Sequence, residues 1–335
     1  MTDGASFEPE QQRAPHEPDA NSRGRLEVEA LRRLASLRAR LGPELGAAFD
    51  ALAMRLRLFD GGYFSHPMAL PVLELPVWAA EHAGRCGAAV APETTMNLVE
   101  AAVIGYLHVR IEDDWFDEGI GEPGAAMMLS DALFARHQGL IAREIPRTPP
   151  GFGADRRGDF WDLFEEIWLG YGEAMLVERR LHAGEGVHDA VAFERVLARS
   201  RPLVLPAAAA LFVADRARDL TALERICGPL IAGHQLFADL LHAEKDQALG
   251  STTHVLWRLR GAAVEGGTTT LRAEIFARGG FDAVVGDARR EIARAKAAAF
   301  ELGMPEATRF LQDREQYMTE IQRRVFEAFF TGCVR

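Results

Sequence analysis

The sequence has few cysteines and no long apolar run, and both scarcities narrow what the protein can be. Its three cysteines, Cys86, Cys227 and Cys333, are scattered and lack the spacing of a metal-binding set or of a disulfide framework. The longest uncharged apolar run, between Arg201 and Asp215, contains two prolines and is too short to span a membrane. We therefore expect a protein of the reducing cytoplasm that has no membrane-spanning helix.

Acidic residues outnumber basic ones, with 49 aspartates and glutamates against 38 lysines and arginines. The net charge of the chain is −11, which makes nucleic acids and anionic membrane surfaces unsuitable partners. An acidic protein can still bind a polyanionic substrate when metal ions lie between the two. The N-terminal segment is polar and contains prolines, and it lacks the apolar core of a signal peptide. We expect residues 1–24 to form a disordered tail.

Alternating runs of β-branched residues, which are typical of strands, are missing as well. Almost every segment after residue 24 has helical spacing, and 335 residues can bury a large core. No linker divides the sequence, so we predict an all-α fold with a single domain over residues 25–335. Pro202 and Pro206 should interrupt one of its helices. The predicted helices cover residues 25–41, 44–59, 68–83, 94–118, 125–144, 158–182, 189–214 and 219–249, with two or three more from residue 268 to the end.

What the chain does contain is an acidic stretch, EDDWFDE at residues 112–118, in which five of seven residues are acidic. It lies on the last turns of an apolar helix, where the helix dipole favours cations rather than anions. Asp113 and Asp117 are four residues apart and share one helical face. A solvated helix end is the ordinary interpretation of such a cluster. Carboxylates at the end of an apolar helix also suit Mg²⁺, which takes oxygen ligands and substrate phosphates, and we predict a magnesium site here.

A second segment, GHQLFADLLHAEKDQALGS at residues 233–251, carries further candidate ligands. His242 and Asp246 are four residues apart on one helical face, whereas Asp239 points elsewhere. Imidazole is a poorer ligand for Mg²⁺ than oxygen. Because amphipathic helices often carry such residues, this segment alone is weak evidence for a metal site.

Together the two segments resemble those of the class I isoprenoid synthase superfamily, which comprises trans-prenyl diphosphate synthases and class I terpene cyclases. Residues 113–117 match the aspartate-rich pattern DDxxD, and residues 238–246 are similar to the cyclase pattern NDxxSxxxE. The chain departs from the second pattern at Ala238, where the family has a primary metal ligand. The resemblance implies a helical bundle with a central active-site cavity and several Mg²⁺ ions, with Mn²⁺ as a substitute. The metal ligands that it implies are Asp113, Asp114, Asp117, Asp239, His242 and Asp246.

Two further segments extend the resemblance. GGYFSHP at residues 61–67 stands in the place of GGKRxRP, whose cations hold isopentenyl diphosphate in the prenyl synthases. Tyr63, Phe64 and His66 replace those cations, so the site for the extension substrate should be lost. LARSRPLVL at residues 197–205 resembles the segment whose cation senses the diphosphate in cyclases. The diphosphate ligands that the resemblance implies are Arg199, Arg201, Lys245, Arg323 and Arg324.

The reaction implied by the resemblance is loss of diphosphate from an allylic prenyl diphosphate, a small-molecule substrate. Asp113, Asp117 and Arg199 would carry this step, in a dry cavity whose aromatic faces stabilise the carbocation. The implied cavity lining is Phe64, Trp115, Phe116, Trp168 and Phe237. Because DDxxD is intact beside a GGKRxRP segment without cations, the sequence favours a class I terpene synthase, a cyclase that forms a hydrocarbon or an alcohol.

Two alternatives stay open at this point. One is a chain-elongating trans-polyprenyl diphosphate synthase with an unusual extension site. The other is a non-catalytic partner subunit of such a synthase, because Ala238 and the missing cations also fit a degenerate copy. Members of the family commonly form dimers, so the resemblance also implies a homodimer as one option.

Overall fold

Helices make up the fold, as the sequence predicts, and no strand occurs among the described residues. The structure is a computed structural model that describes residues 20–118, 123–145, 156–261, 276 and 279–333. Its α-helices are α1 (Ala20–Arg38), α2 (Pro43–Arg55), α3 (Glu74–Arg85), α4 (Pro92–Glu118), α5 (Pro123–Glu144), α6 (Arg156–His182), α7 (Ala190–Leu197), α8 (Leu205–Val213), α9 (Leu220–Ala248), α10 (His254–Gly261), α11 (Gly280–Glu301) and α12 (Pro305–Cys333). Short 3-10 turns cover Leu58–Asp60, Ala198–Val204 and Ala217–Asp219.

Two helices begin five or six residues from their predicted starts. α1 begins at Ala20, so the last residues of the predicted tail are helical, and residues 1–19 lie outside the described part of the chain. α3 begins at Glu74 rather than near residue 68, and that predicted start was wrong. Pro71 precedes the helix, and Pro76 falls in its first turn. A proline is tolerated there because the first backbone N–H groups of a helix have no partner within it.

The segment from α7 to α8 is broken at its prolines, which confirms the prediction. Pro202 lies in the 3-10 turn, and Pro206 lies in the first turn of α8. By length and composition alone, Ala190–Val213 could cross a membrane. However, 61% of its most apolar stretch is buried inside the fold. The core helix of a globular protein passes the same test, so this helix is weak evidence for a membrane span.

The core forms where pairs of helices approach closely. α4 packs against α5, α3 against α8, and α9 against α11. Four consecutive alanines of α8, residues 207–210, are fully buried, and their small side chains allow neighbouring helices to come near. Gly105 of α4 makes room for the ring of His137, because a Cβ atom there would lie 2.7 Å from Nδ1. At Gly233 of α9, a Cβ atom would lie 2.8 Å from the carbonyl oxygen of Ala288 on α11.

α4 carries the acidic stretch from the core to the surface. Leu98, Ile104 and Leu107 are fully buried, and Ile111 is nearly so. Burial of these apolar residues stabilises the helix by roughly 1.5–3 kcal/mol for each large side chain. The acids in the last turns are therefore held on a fixed helix, which sets the geometry of the site.

Candidate active site

Asp113 on α4 is held between two arginines. Arg110 Nη1 donates to Asp113 Oδ2 (2.8 Å), and Arg199 Nη1 donates to Asp113 Oδ1 (3.0 Å). Arg110 lies one turn earlier on α4, whereas Arg199 comes from the 3-10 turn between α7 and α8. Burial opposes the charge of Arg110, but Asp113 and its neighbours outweigh burial and raise the pKa of this guanidinium. The side chain of Asp113 is 20% exposed, so it stays accessible to an ion from solvent.

Asp114, the second acid of the motif, points into the protein. Only 4% of its side chain is exposed, and its two oxygens accept hydrogen bonds from Arg55 of α2 and from Arg110. The contact with Arg55 joins the end of α4 to α2. The role of Asp114 as a metal ligand stays a prediction. Asp117 belongs to α4, but its side chain lies outside the described residues.

Arg199 connects Asp113 to the second acidic segment. Its Nη1 also donates to Glu178 Oε2 on α6 (2.7 Å), and its Nη2 donates to Gln235 Oε1 on α9 (2.9 Å). Gln235 Nε2 donates in turn to Asp239 Oδ1 (2.6 Å). A chain of side-chain contacts therefore runs from α4 to α9 through one guanidinium. We call these five residues the Arg199 network: Asp113, Glu178, Arg199, Gln235 and Asp239.

Asp239 is a buried acid of this network. It is 8% exposed, and burial raises its pKa to about 7, although Arg199 and the hydrogen bond from Gln235 act in the opposite direction. A nearby cation stabilises the charged form of such a carboxylate. Together with Asp113 it offers the hard oxygen ligands that Mg²⁺ prefers, so the described residues fit this ion.

The other predicted residues of α9 lie nearer the surface. His242 and Lys245 are exposed, and Asp246 is half-buried. Asp246 is close enough to contribute to the raised pKa of Asp239. Gly250 follows the end of α9 with a φ of 76°. The roles of His242, Lys245 and Asp246 in binding metal or diphosphate stay predictions.

The other three predicted arginines have partners elsewhere. Arg201 is half-exposed and pairs with one glutamate of α6 and one of α9 (3.4 and 3.5 Å). Arg323 and Arg324 are exposed on α12, and each pairs with Glu320 (2.7 Å). Among the predicted arginines, Arg199 is therefore the one whose described contacts reach both acidic segments.

The predicted aromatic residues lie in different surroundings. Trp115 and Phe116 pack against each other near the end of α4, and the guanidinium of Arg179 lies 5.8 Å from the centre of the Phe116 ring. Trp168 of α6 packs edge-on against Phe134 of α5. The fully buried members of the predicted lining are Phe64 and Phe237. A groove of 590 Å³ lies between α11 and α12, and no predicted site residue lines it, so the central cavity stays a prediction.

The loop at residues 61–67 is anchored to α1. Its two glycines have φ angles of 82° and 84°, which favour glycine. The backbone N–H of Phe64 and the hydroxyl of Ser65 donate to the buried carboxylate of Glu27 (3.0 and 2.6 Å). Tyr63 shares a hydrogen bond with another tyrosine, and burial, together with a nearby arginine, lowers the pKa of His66. The loop therefore presents no charged donor at neutral pH.

Sequence reasoning missed four residues of the site, Arg55, Arg110, Glu178 and Gln235. Two of them had a local signal, because Arg110 precedes the first motif acid by three residues and Gln235 precedes Asp239 by four. Arg55 and Glu178 are far in sequence from their partners. Only tertiary packing brings Arg55 of α2 to Asp114 and Glu178 of α6 to Arg199.

Solved structures of prenyl diphosphate synthases are similar to this chain over most of its length. The geranylgeranyl pyrophosphate synthetase from the archaeon Geoglobus acetivorans has a TM-score of 0.66 and 16% identity, and the match covers 88% of this chain and 96% of that one. The geranylgeranyl pyrophosphate synthetase from Pyrococcus horikoshii Ot3 has a TM-score of 0.61 and 13% identity, with 89% and 99% covered. A third, described as a geranylgeranyl pyrophosphate synthase, has a TM-score of 0.58 and 15% identity, with 88% and 97% covered. No protein-family model and no curated protein matches the sequence.

At these identities the similarity shows the fold. The chain has the all-α isoprenoid synthase fold, which the resemblance of its acidic segments implied.

Proposed function

We propose that the protein is a Mg²⁺-dependent prenyltransferase that ionises an allylic prenyl diphosphate and joins the prenyl group to isopentenyl diphosphate. The Arg199 network carries this proposal, because it joins the two acidic helices within a fold shared with geranylgeranyl pyrophosphate synthases. The similarity extends over nearly the whole length of those enzymes, which favours the synthase over the cyclase that the sequence motifs favoured.

Each residue of the site has a role in this proposal. Asp113, Asp117 and Asp239 would hold Mg²⁺, which neutralises charge on the departing diphosphate when it is bound. Arg199 would donate to the diphosphate oxygens, because guanidinium groups form strong bidentate hydrogen bonds with phosphates. Its three present acceptors hold it beside the acids before substrate arrives. A fixed donor of this kind lowers the barrier because it needs no reorganisation during the reaction.

A class I terpene cyclase is the second candidate, and the loop at residues 61–67 favours it. The loop presents aromatic side chains and an uncharged histidine where an extension substrate would need cations. Without isopentenyl diphosphate, the allylic cation would react with one of its own double bonds, lose a proton or capture water. The product would then be a hydrocarbon or an alcohol.

A non-catalytic partner subunit is the third candidate. The arginines that bind Asp113 and Asp114 favour it, because they already supply positive charge where a metal ion would be needed. In a degenerate site, these arginine–aspartate ion pairs would keep a structural role without binding a metal ion.

One experiment separates the three candidates. The purified protein is incubated with geranyl, farnesyl and geranylgeranyl diphosphates plus Mg²⁺, with and without isopentenyl diphosphate, and inorganic diphosphate and extractable products are followed together. Longer prenyl diphosphates that require isopentenyl diphosphate support the synthase. A cyclic product without it supports the cyclase, and no turnover in either mixture supports the partner subunit. Asp113→Asn is the matched variant and should abolish metal-dependent diphosphate release.

A further inference from the structure

A histidine, a cysteine and an aspartate converge where α3 ends and α9 begins. His82 Nε2 lies 3.1 Å from Asp219 Oδ2, and Cys86 Sγ lies 3.9 Å from His82 Nε2. The three ligand atoms all lie within 4.8 Å of one another. His82 and Cys86 are four residues apart at the end of one helix, so they face the same way, and Asp219 reaches them from the 3-10 turn before α9.

These separations match what one tetrahedral metal ion requires. Zinc binds cysteine sulfur at about 2.3 Å, histidine nitrogen at about 2.0–2.1 Å and carboxylate oxygen at about 2.0–2.2 Å. Two ligands of the same ion are then roughly 3.3–3.6 Å apart in a tetrahedral arrangement. The two measured distances, 3.1 and 3.9 Å, lie on either side of that range. For these two pairs, shifts of a few tenths of an ångström would give tetrahedral separations, and the third pair, Cys86 and Asp219, lies within 4.8 Å.

We propose that His82, Cys86 and Asp219 form a site for a zinc-like divalent cation, with a water molecule in the fourth position. Imidazole and thiolate ligands select zinc and similar transition metals, whereas Mg²⁺ prefers oxygen, so this site differs in chemistry from the Arg199 network. The thiol of Cys86 gives up its proton when the metal binds.

The burial of the donors suits a fixed site that an ion can still enter. His82 is 7% exposed and the side chain of Asp219 is 16% exposed, whereas Cys86 is exposed at the rim. Arg216 also donates to Asp219 Oδ2 (2.6 Å), and Arg218 Nε lies 3.9 Å from Oδ1. The contact from Arg216 orients the carboxylate so that Oδ2 faces His82, and Oδ2 is the oxygen that the proposed ion would take.

The position of the site gives it a structural role. Asp219 and Asp239 are separated by 20 residues of α9, which is about 30 Å along a helix. The proposed ion therefore lies near the opposite end of α9 from the Arg199 network. It would clamp the end of α3 to the start of α9, two elements that are far apart in sequence.

Cobalt provides a direct test, because a thiolate bound to Co²⁺ gives a charge-transfer band in the near ultraviolet. The reduced, metal-free full-length protein is titrated with Co²⁺, and we expect a band that saturates at one equivalent and disappears when Zn²⁺ is added. Cys86→Ser should lose the band, whereas Cys333→Ser and Asp113→Asn should keep it. Absence of the band in the unchanged protein, or its persistence in Cys86→Ser, would overturn the proposal.

Thermal unfolding supplies a second readout that does not depend on the thiol. One equivalent of Zn²⁺ should raise the Tm of the unchanged protein and of Asp113→Asn. His82→Gln can keep a hydrogen bond to Asp219, so it should fold normally and show no rise in Tm. An equal rise in His82→Gln would place the bound zinc elsewhere and contradict the site.

Discussion

Arg199 donates hydrogen bonds to three acceptors on three different helices. Its removal should therefore slow the proposed reaction. Arg199→Gln takes a charged donor away from Asp113 and Glu178 and leaves both carboxylates without it. We expect the rate of diphosphate release to fall on the order of 100-fold, as when one preorganised donor is removed from an active site. Inorganic diphosphate released from the allylic substrate in the presence of Mg²⁺ is the quantity to measure.

Arg201→Gln is the matched control for this prediction. Arg201 lies two residues away, but its ion pairs are half-exposed, and such pairs contribute about 0–1 kcal/mol. Its turnover should stay close to that of the unchanged protein. Equal losses in the two variants would show that Arg199 has no special role.

His234 should make the free energy of unfolding depend on pH in the acid range. Burial lowers its pKa to about 3, and nearby cations, led by Arg314, add to the effect. Its Nδ1 faces Arg314 Nη1 at 3.2 Å and accepts from it as a neutral ring. Below about pH 6.5 the unfolded chain binds a proton that the folded protein does not bind, so stability is lost as the pH falls towards 3. From this residue alone, the free energy of unfolding falls by at most about 1.4 kcal/mol for each pH unit.

His234→Asn tests this slope, because an amide oxygen can accept the hydrogen bond from Arg314 without titrating. Unfolding free energies from urea titrations between pH 6.5 and 4 should fall less steeply in the variant. The same slope in both proteins would mean that other groups cause the acid sensitivity.

At the scale of residues, the sequence predicted those site residues that lie within a short recognisable motif. Asp113 was predicted from the spacing of the acids at its helix end, whereas Asp239 and Arg199 were predicted only through the family resemblance of their segments. Arg55 and Glu178 were not found, because their contacts with Asp114 and with Arg199 exist only after α2 and α6 have packed. Tertiary contacts of this kind leave no periodic trace in a sequence.

At the scale of elements, the contact between α9 and α11 depends on a missing side chain. Gly233→Ala would put a Cβ atom 2.8 Å from the backbone oxygen of Ala288 and 3.0 Å from Ile292. A backbone atom cannot move aside as a flexible side chain can, so the two helices must separate. This should lower the free energy of unfolding by about 1–3 kcal/mol. A lower midpoint of urea unfolding is the expected result.

Gly170→Ala on α6 is the control with the opposite sign. No atom lies within 4 Å of the position of its Cβ, and alanine is the better helix former by about 1 kcal/mol. This variant should leave the midpoint unchanged or raise it. A loss of stability equal to that of Gly233→Ala would contradict the explanation by close packing.

The helices were more predictable than their ends. Long apolar periodicity located α4, α6 and α9 correctly, because burial of one face requires that spacing. The start of α3 was placed too early, since residues 68–73 have helical spacing but two prolines decide where the helix begins. Helix existence follows from the hydrophobic pattern, whereas a boundary depends on a few backbone hydrogen bonds.

At the scale of the molecule, ligand binding at the acids should stabilise the whole fold. The Arg199 network joins α4, α6 and α9, so an ion and an anion bound there would hold three helices together. A ligand at 100 times its Kd adds about 2.7 kcal/mol to the free energy of unfolding. We expect Mg²⁺ together with inorganic diphosphate to raise the Tm by several degrees, measured by calorimetry.

Asp113→Asn should show a smaller rise, because it removes a charged ligand that is partly open to solvent. Each component added alone is the second control, and neither should reproduce the full effect. An identical rise in the variant would locate the bound ligands away from α4.

The whole fold could be predicted because two acidic segments in an all-helical sequence resemble one superfamily, and the similar solved structures have that fold. The activity within the superfamily could not be predicted in the same way. The sequence motifs favoured a cyclase over a synthase, whereas the similar structures, at 13–16% identity, show only the fold. The two differ in whether a second diphosphate can bind, and that depends on the charge and position of a few side chains rather than on the helical pattern.

Three guanidinium groups and three carboxylates meet around the end of α4, with Arg55, Arg110 and Arg199 as the cationic partners. Guanidinium groups keep their proton at any ordinary pH, so these partners act as permanent internal counter-ions. If a divalent cation binds Asp113 as proposed, it would displace a guanidinium and free it for another acceptor. Phosphate oxygens are acceptors that a freed guanidinium prefers. In such a site, uptake of the cation and readiness for the anion are a single event.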